Sequence, residues 1–106
     1  MQEYIVILIT TNSSVSAKEI GESLVRRKLV ACVNIIPKTR SIFRWKEKIE
    51  KTDEVLLILK TKRKLFDKIV RQVKEMHPYE VPEIIGLPII CGNRKYLGWI
   101  EKEVEG

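Results

Sequence analysis

The chain has 106 residues, of which 44% are hydrophobic and 32% are charged. This length and apolar content predict one folded domain over residues 1–106 and exclude a disordered chain. Twenty lysines and arginines against fourteen acidic residues give a formal net charge of +6, and so large a charged fraction is typical of thermostable proteins. The basic residues are not interleaved with the aromatic residues or glycines that nucleic-acid-binding modules use, so we expect no nucleic-acid partner.

No apolar run is long enough for a membrane span or a signal segment, so we expect no membrane contact and a cytoplasmic location. The two cysteines, Cys32 and Cys91, lie in apolar runs that read as strands. We therefore expect both to be buried, reduced packing residues, which agrees with a reducing compartment.

The first third of the chain predicts a strand followed by a helix. Residues 4–9 form a continuous apolar run, which is typical of a strand buried on both faces of a sheet. In the polar turn that follows, Ser14 or Ser16 is a candidate helix N-cap, and Glu19 completes a capping box with Ser16. Apolar residues then keep helical spacing to about residue 29.

The middle of the chain predicts a long β-hairpin. Residues 31–36 read as a strand, and Pro37 predicts a bulge or an edge because proline cannot donate to a strand ladder. The strand resumes over residues 41–45, turns over residues 46–48 and returns over residues 49–61, which are apolar at every position from 55 to 59. The pattern is that of a long hairpin with a bulge.

The last third predicts a helix, a strand and a short helix. Helical spacing runs over residues 65–76, and Pro78 and Pro82 end that helix, because the residue before a proline avoids the helical region. Residues 84–91 predict a strand in which Pro88 requires an edge or a bulge. Residues 96–104 predict an amphipathic C-terminal helix.

This order of elements, βαββαβ plus a C-terminal helix, predicts an α+β fold of the ferredoxin-like split βαβ type, with both main helices on one face of the sheet. Two strands are nevertheless apolar at every position, so the other face of the sheet also needs cover. No further segment is left to supply it, and we therefore expect an oligomer that buries the open faces together. The long hairpin could also extend a neighbour's sheet.

The densest chemistry lies between residues 77 and 83. His77 is the single histidine, and it could bind a metal, carry protons or cap the end of the second helix. Glu80 and Glu83 are weak acid–base candidates, because a proline between them prevents a shared helical face. Lys60 follows five apolar residues, so it could meet an anion or a carboxylate such as Glu80, or simply extend to solvent.

Several residues are expected to serve packing or assembly. Trp45 is expected at the hairpin tip, and Trp99 is expected beneath the C-terminal helix. Cys32 is expected to support its strand, and Pro78 and Pro82 are expected to stiffen residues 77–83, a rigid connector at a subunit boundary. No glycine-rich phosphate loop, nucleophile elbow or CxxC motif is present in the sequence, so we expect no enzyme activity.

Five sequence motifs follow one another along the chain: ACVN at 31–34, SIFxW at 41–45, LKT at 59–61, HPYEVPEI at 77–84 and YLxW at 96–99. With these motifs the whole chain resembles the CutA family of divalent-cation tolerance proteins. The resemblance implies a tight homotrimer, similar in architecture to PII-type signalling proteins, that is cytoplasmic in prokaryotes. It also implies a link to divalent-metal tolerance and to copper binding, with no metal essential for folding.

The copper site that the resemblance implies is incomplete in this chain. The family ligands are a cysteine at the end of the first strand and two consecutive histidines before the Pro-Tyr pair. This chain has Ile9 and Met76 at two of those positions, so only His77 remains as a metal contact. A further departure is Glu47, where the family often has glycine, so the hairpin turn must differ or carry strain.

Three interpretations follow from the sequence. The first is a trimeric, non-enzymatic metal-tolerance protein in which His77 contacts the ion. The second is a PII-like signalling module that binds a small anion in the clefts between subunits, with Lys60, Tyr79 and Glu80 as the polar groups. The third is a scaffold trimer in which the motifs serve the interfaces alone.

Overall fold

The computed structural model describes residues 3–106. They form a four-stranded antiparallel sheet in the order β2-β3-β1-β4, with helices between and after the strands. In chain order the elements are β1 (Tyr4–Thr11), α1 (Ser14–Arg26), β2 (Cys32–Trp45), β3 (Lys48–Lys62), a 3-10 turn (Arg63–Leu65), α2 (Phe66–Met76), β4 (Ile84–Pro88) and α3 (Arg94–Glu103). The ferredoxin-like α+β prediction is confirmed.

The core lies between one face of the sheet and the helices α1 and α2. Alternate residues of the two central strands point to this face, because side chains alternate along a strand and β1 pairs with β3 at Ile7↔Leu59 and Ile9↔Leu57. The fully buried apolar side chains on the two sides of this core are Ile7, Ile9, Leu57, Leu59, Ile20, Leu24, Ile69 and Val73.

Helix α1 begins one residue earlier than the capping prediction placed it. The N-cap is Ser13, whose hydroxyl oxygen accepts the Ser16 backbone N–H at 3.1 Å. Ser16 cannot be the N-cap, because it lies within α1; its hydroxyl bonds to the Thr11 hydroxyl at 2.8 Å. The predicted caps at Ser14 and Ser16 were therefore wrong.

The hairpin between β2 and β3 has the predicted bulge. Its register shifts between Ile36 and Thr39, beside Pro37, and Lys38 has a φ of 62°. At the tip, Lys46 and Glu47 have φ values of 50° and 67°, as a two-residue turn between twisted strands requires. Glu47 thus occupies a left-handed conformation that glycine adopts at lower cost, so the expected strain is present.

Strand β4 is shorter than predicted, since it ends at Pro88 and not at residue 91. Its partner β1 begins at Tyr4, so the chain beyond Pro88 has no strand left to pair with; the Ile89 N–H still donates to the Tyr4 carbonyl at 3.0 Å. Cys91 consequently lies exposed in a loop, and the prediction that it is buried was wrong.

We call the side of the sheet that faces away from α1 and α2 the second face. The strand register places seven apolar side chains on it: Val6, Leu8, Ile36, Leu56, Ile58, Ile85 and Leu87. Ile36, Ile85 and Leu87 are between 43% and 49% exposed. This apolar surface lies open on the protomer.

Helix α3 covers one end of the second face, which corrects the expectation that no segment was left to do so. Glu101 accepts hydrogen bonds from the Tyr4 hydroxyl at 3.1 Å and from the Lys62 ammonium at 2.6 Å. Tyr4 and Lys62 are register partners, and their side chains point away from the α1–α2 core. Ile100 is fully buried. The cover thus reaches the end of the second face and leaves its apolar centre open.

Candidate functional site

His77 joins three parts of the chain at the end of α2. Its Nε2 lies 2.7 Å from the Thr10 carbonyl oxygen in β1, and the Tyr79 backbone N–H donates to its Nδ1 at 3.1 Å. Because a backbone N–H can only donate, Nδ1 is unprotonated and Nε2 carries the proton that it gives to Thr10. The His77 imidazole therefore bonds to β1 and to the residues after α2, while the His77 backbone N–H, and not the ring, caps the end of α2.

This arrangement explains why the connector is held so firmly. The His77 backbone N–H donates to the Val73 carbonyl oxygen at 2.8 Å, and this bond completes the last turn of α2. The chain then leaves the helix, because His77 has the extended conformation that a residue before proline prefers. The imidazole is buried and its ring lies 4.8 Å from the ring of Tyr79. Residues 77–79 are thus fixed to the end of β1.

Tyr79 extends this cluster to β3. Its hydroxyl donates to the Glu54 carboxylate at 2.6 Å. Glu54 is only 7% exposed, and among residues 3–106 no basic side chain lies within ion-pair distance of it. Burial, together with the Glu54 carboxylate, raises the pKa of the Tyr79 hydroxyl well above its usual value of 10.0. Glu54 was missed in the sequence, because its charge gave no sign of burial.

The family copper ligands are not replaced by others nearby in one protomer. Ile9 is fully buried, and Met76 packs on the core while its sulfur accepts a hydrogen bond from Gln72 at 3.7 Å. Within the described part of the chain, no group of three His, Cys, Asp or Glu side chains could hold a metal ion. His77 also has no free lone pair in this state. The residues of a single protomer thus do not fit a resident copper ion.

A second polar cluster lies on the second face at its α3 end. Register pairing sets Cys32 directly opposite Lys60, and the Lys60 ammonium donates to the Asn34 side-chain oxygen. The Cys32 thiol lies 3.9 Å from the same oxygen. Tyr96 of α3 neighbours the Cys32 thiol; burial raises the pKa of the Tyr96 hydroxyl, and this thiol raises it further.

The structure separates residues that one sequence interpretation grouped. Lys60 lies six residues from Glu54 along β3, which at about 3.3 Å per residue is about 20 Å. Tyr79 bonds to Glu54, so within one protomer Lys60 and Tyr79 lie at opposite ends of the second face. Glu80 is exposed and belongs to the Tyr79 end of the molecule. A shared cleft containing all three would have to combine residues of different subunits.

The residues assigned to packing or assembly are mostly accessible. Trp45 is 44% exposed near the hairpin tip, with the Lys46 ammonium 6.0 Å from its ring centre. Trp99 is 39% exposed and its ring centre lies 5.5 Å from that of Tyr96. Pro78 is exposed, whereas Pro82 and Cys32 are half-buried. Their accessibility is compatible with subunit contacts.

Asn34 and Tyr96 were not singled out individually in the sequence, although both belong to the quoted motifs. The ACVN, LKT and YLxW motifs are separated by long stretches of chain. The strand register and a hydrogen bond bring Asn34 and Lys60 to one end of the second face, and Tyr96 of α3 neighbours Cys32 there. The sequence did carry a signal for Asn34: it lies two residues after Cys32 in the same strand, so both side chains point to the same face of the sheet. No helix among residues 3–106 has the length and apolar character to cross a membrane.

Comparison with known proteins gives a consistent result. The chain is 46% identical over 97 residues to the divalent-cation tolerance protein CutA of Thermus thermophilus, covering 92% of this chain and 94% of that protein. It is 47% identical over 92 residues to a CutA homolog of Xenopus laevis, covering 87% of this chain but only 61% of that protein.

The structural comparison agrees. The crystal structure of CutA1 from Oryza sativa superposes with a TM-score of 0.95 at 39% identity, covering 98% of this chain and 95% of that one. A family model described as the CutA1 divalent ion tolerance protein matches residues 5–103. The chain belongs to the CutA1 divalent ion tolerance family.

Proposed function

We propose that this protein acts in divalent-cation tolerance as a homotrimer and without catalysing a reaction. The observation that carries the proposal is the second face, where seven apolar side chains lie on the side of the sheet away from α1 and α2. Monomeric proteins rarely leave a contiguous apolar sheet face open to water. The names of the relatives, which are tolerance proteins, support the cellular role.

The sheet topology supports a ring of copies. Its two edge strands, β2 and β4, are different surfaces, and each leaves one row of backbone groups unpaired. A contact between unlike surfaces is heterologous, and such contacts close into a ring when the rotation permits. The hairpin carries exposed apolar side chains at Ile42 and Ile49, beyond the part of β3 that pairs with β1, so it can reach a neighbouring copy.

The metal role proposed for His77 requires a rearrangement of its hydrogen bonds. In the neutral imidazole only Nδ1 has a lone pair that could bind a metal, and this lone pair now accepts the Tyr79 N–H. A copper or other divalent ion would take the place of that N–H, and its remaining ligands would come from other copies, because one protomer supplies a single imidazole. Binding is therefore expected to compete with the His77–Tyr79 contact.

Two further parts of the proposal rest on simpler observations. Both cysteines are free thiols, which supports a cytoplasmic location because reducing compartments keep thiols unpaired. The buried polar side chains of the described residues are hydrogen-bonded, and ion pairs join Lys62 to Glu101 and Lys68 to Glu105 at 2.6 Å. The Lys62–Glu101 pair, in which the lysine side chain is only 6% exposed, supports thermostability more than the exposed Lys68–Glu105 pair does.

The test is a calorimetric titration of the untagged protein with Cu(II) and with Zn(II). His77→Ala and His77→Gln both remove the imidazole, but the glutamine amide can still donate to the Thr10 carbonyl. We expect both variants to weaken Cu(II) binding by at least about tenfold, equivalent to 1.4 kcal/mol. Unchanged binding would remove His77 from the site, and a loss confined to the alanine variant would show that the imidazole acts through structure. A trimer that binds neither metal would be a scaffold.

A further inference from the structure

The second polar cluster contains a lysine without an acidic partner. Lys60 is half-buried on the second face, and among residues 3–106 no carboxylate lies within 4 Å of its ammonium. Its one polar contact is the neutral Asn34 side-chain oxygen. A partly desolvated ammonium normally acquires an anion, because removing a charge from water is costly unless it is paired.

The neighbouring lysine on the same strand and face shows the contrast. Lys62 lies two residues further along β3, and its ammonium pairs with the Glu101 carboxylate at 2.6 Å. The chain thus supplies a carboxylate to one of these two lysines and an amide to the other. Lys60 retains two further N–H donors for a molecule outside the protomer.

Other donors surround Lys60. When Asn34 accepts the lysine hydrogen bond through its side-chain oxygen, its NH₂ group is left as a donor, and Asn34 is exposed. The Tyr96 hydroxyl lies beside Cys32, directly across from Lys60. Tyr96 is in the first turn of α3, where the helix dipole is positive and no acidic residue is present. The Lys60 charge, the neighbouring donors and the helix dipole therefore favour a negative ligand, and the Glu101 carboxylate at this end is already paired with Lys62.

We infer that Lys60, Asn34 and Tyr96 form a binding site for a small oxyanion, a phosphate- or carboxylate-bearing molecule, at the α3 end of the second face. The ammonium supplies the charge, and the amide and hydroxyl donors orient the oxygens. All three residues come from one chain, so the site is complete in each protomer. It is separate from His77, which lies at the other end of the face, and it goes beyond a role in cation tolerance.

The experiment titrates the assembled protein with inorganic phosphate and, separately, with succinate, at constant ionic strength set by chloride. The fixed ionic strength prevents general screening from imitating a specific effect. We expect saturable binding of at least one of the two, and the tighter one identifies whether a phosphate or a carboxylate head group is preferred. Absence of saturable binding of either anion would overturn the inference.

Two variants test the residues and one serves as the control. Lys60→Met should weaken the binding at least about tenfold. Asn34→Asp should do the same by placing a carboxylate on Lys60, and because the change is nearly isosteric at an exposed position, the protomer should stay folded. Lys48→Met is the control, because it makes the same charge change at the far end of the same strand, where Lys48 is exposed, and it should leave binding unchanged. Binding that survives both test variants, or falls equally in the control, would show a general effect of net charge and refute the site.

Discussion

The proposed trimer makes its sharpest prediction at Ile85. This residue lies in β4, pairs with Leu8 in the sheet and points to the second face, where 49% of its surface is exposed. In the trimer we expect that surface to be buried. The substitution Ile85→Lys should leave the protomer core intact, because the side chain does not point to the α1–α2 side, and should place a lysine in each subunit interface.

The expected size follows from the exposed fraction. Complete burial of an isoleucine side chain is worth roughly 1.5–3 kcal/mol, so burying the remaining half contributes about 1 kcal/mol per copy and about 3 kcal/mol per trimer. The lysine adds the cost of desolvating an ammonium without a partner, which is several kcal/mol for each of the three copies. Together these losses should shift the trimer to monomers at micromolar concentration.

Sedimentation velocity over a range of protein concentrations measures this shift, and far-UV circular dichroism checks that the protomer remains folded. Val25→Lys is the matched control, since Val25 is also β-branched, is 44% exposed and lies on α1, on the opposite side of the sheet. It should leave the trimer intact. A wild-type protein that sediments as a monomer, or an Ile85→Lys variant that remains a trimer of unchanged stability, would refute the reasoning.

Three further predictions concern stability. Glu47→Gly should raise the free energy of unfolding by about 1 kcal/mol in a urea titration, because Glu47 has a φ of 67° that glycine adopts without a Cβ penalty. Thr61→Val should lower it by about 1–3 kcal/mol in the same assay, because the buried Thr61 hydroxyl donates to the Leu29 carbonyl at 2.6 Å and that oxygen would lose its partner. The pKa of Tyr79 is raised from 10.0 in the folded state, so unfolding should become easier as the pH rises above about 10, where only the unfolded chain loses this proton. Tyr79→Phe should reduce that alkaline slope in thermal melts; an unchanged slope would contradict the assignment.

The elements could be predicted because their signals are local. The apolar run of β1, the bulge beside Pro37 and the proline stop after α2 all depend on neighbouring residues. The errors arose where a distant segment decides the outcome. β4 ends at Pro88 because its partner strand begins at Tyr4, and α3 lies over the second face through contacts with residues nearly a hundred positions away.

The candidate sites show the same limit. His77 was singled out for its chemistry, but its partner, the Thr10 carbonyl, is 67 residues away in sequence, and only the fold reveals that both ring nitrogens are bonded. Lys60 was grouped with Tyr79, whereas the strand register places it with Asn34. A motif identifies which residues matter, but the register of the sheet decides which of them share a site.

The two ends of the second face should respond differently when the assembly is broken. The anion site uses Lys60, Asn34 and Tyr96 of one chain, so a folded, monomeric Ile85→Lys variant should keep its phosphate or succinate binding. The metal contact proposed for His77 would need ligands from other copies, so the same variant should lose its Cu(II) binding. Titrating one variant with both kinds of ligand therefore separates a site built into the protomer from one built by the trimer. Loss of both would show that the anion site also depends on a neighbouring subunit, and retention of both would show that His77 binds copper without one.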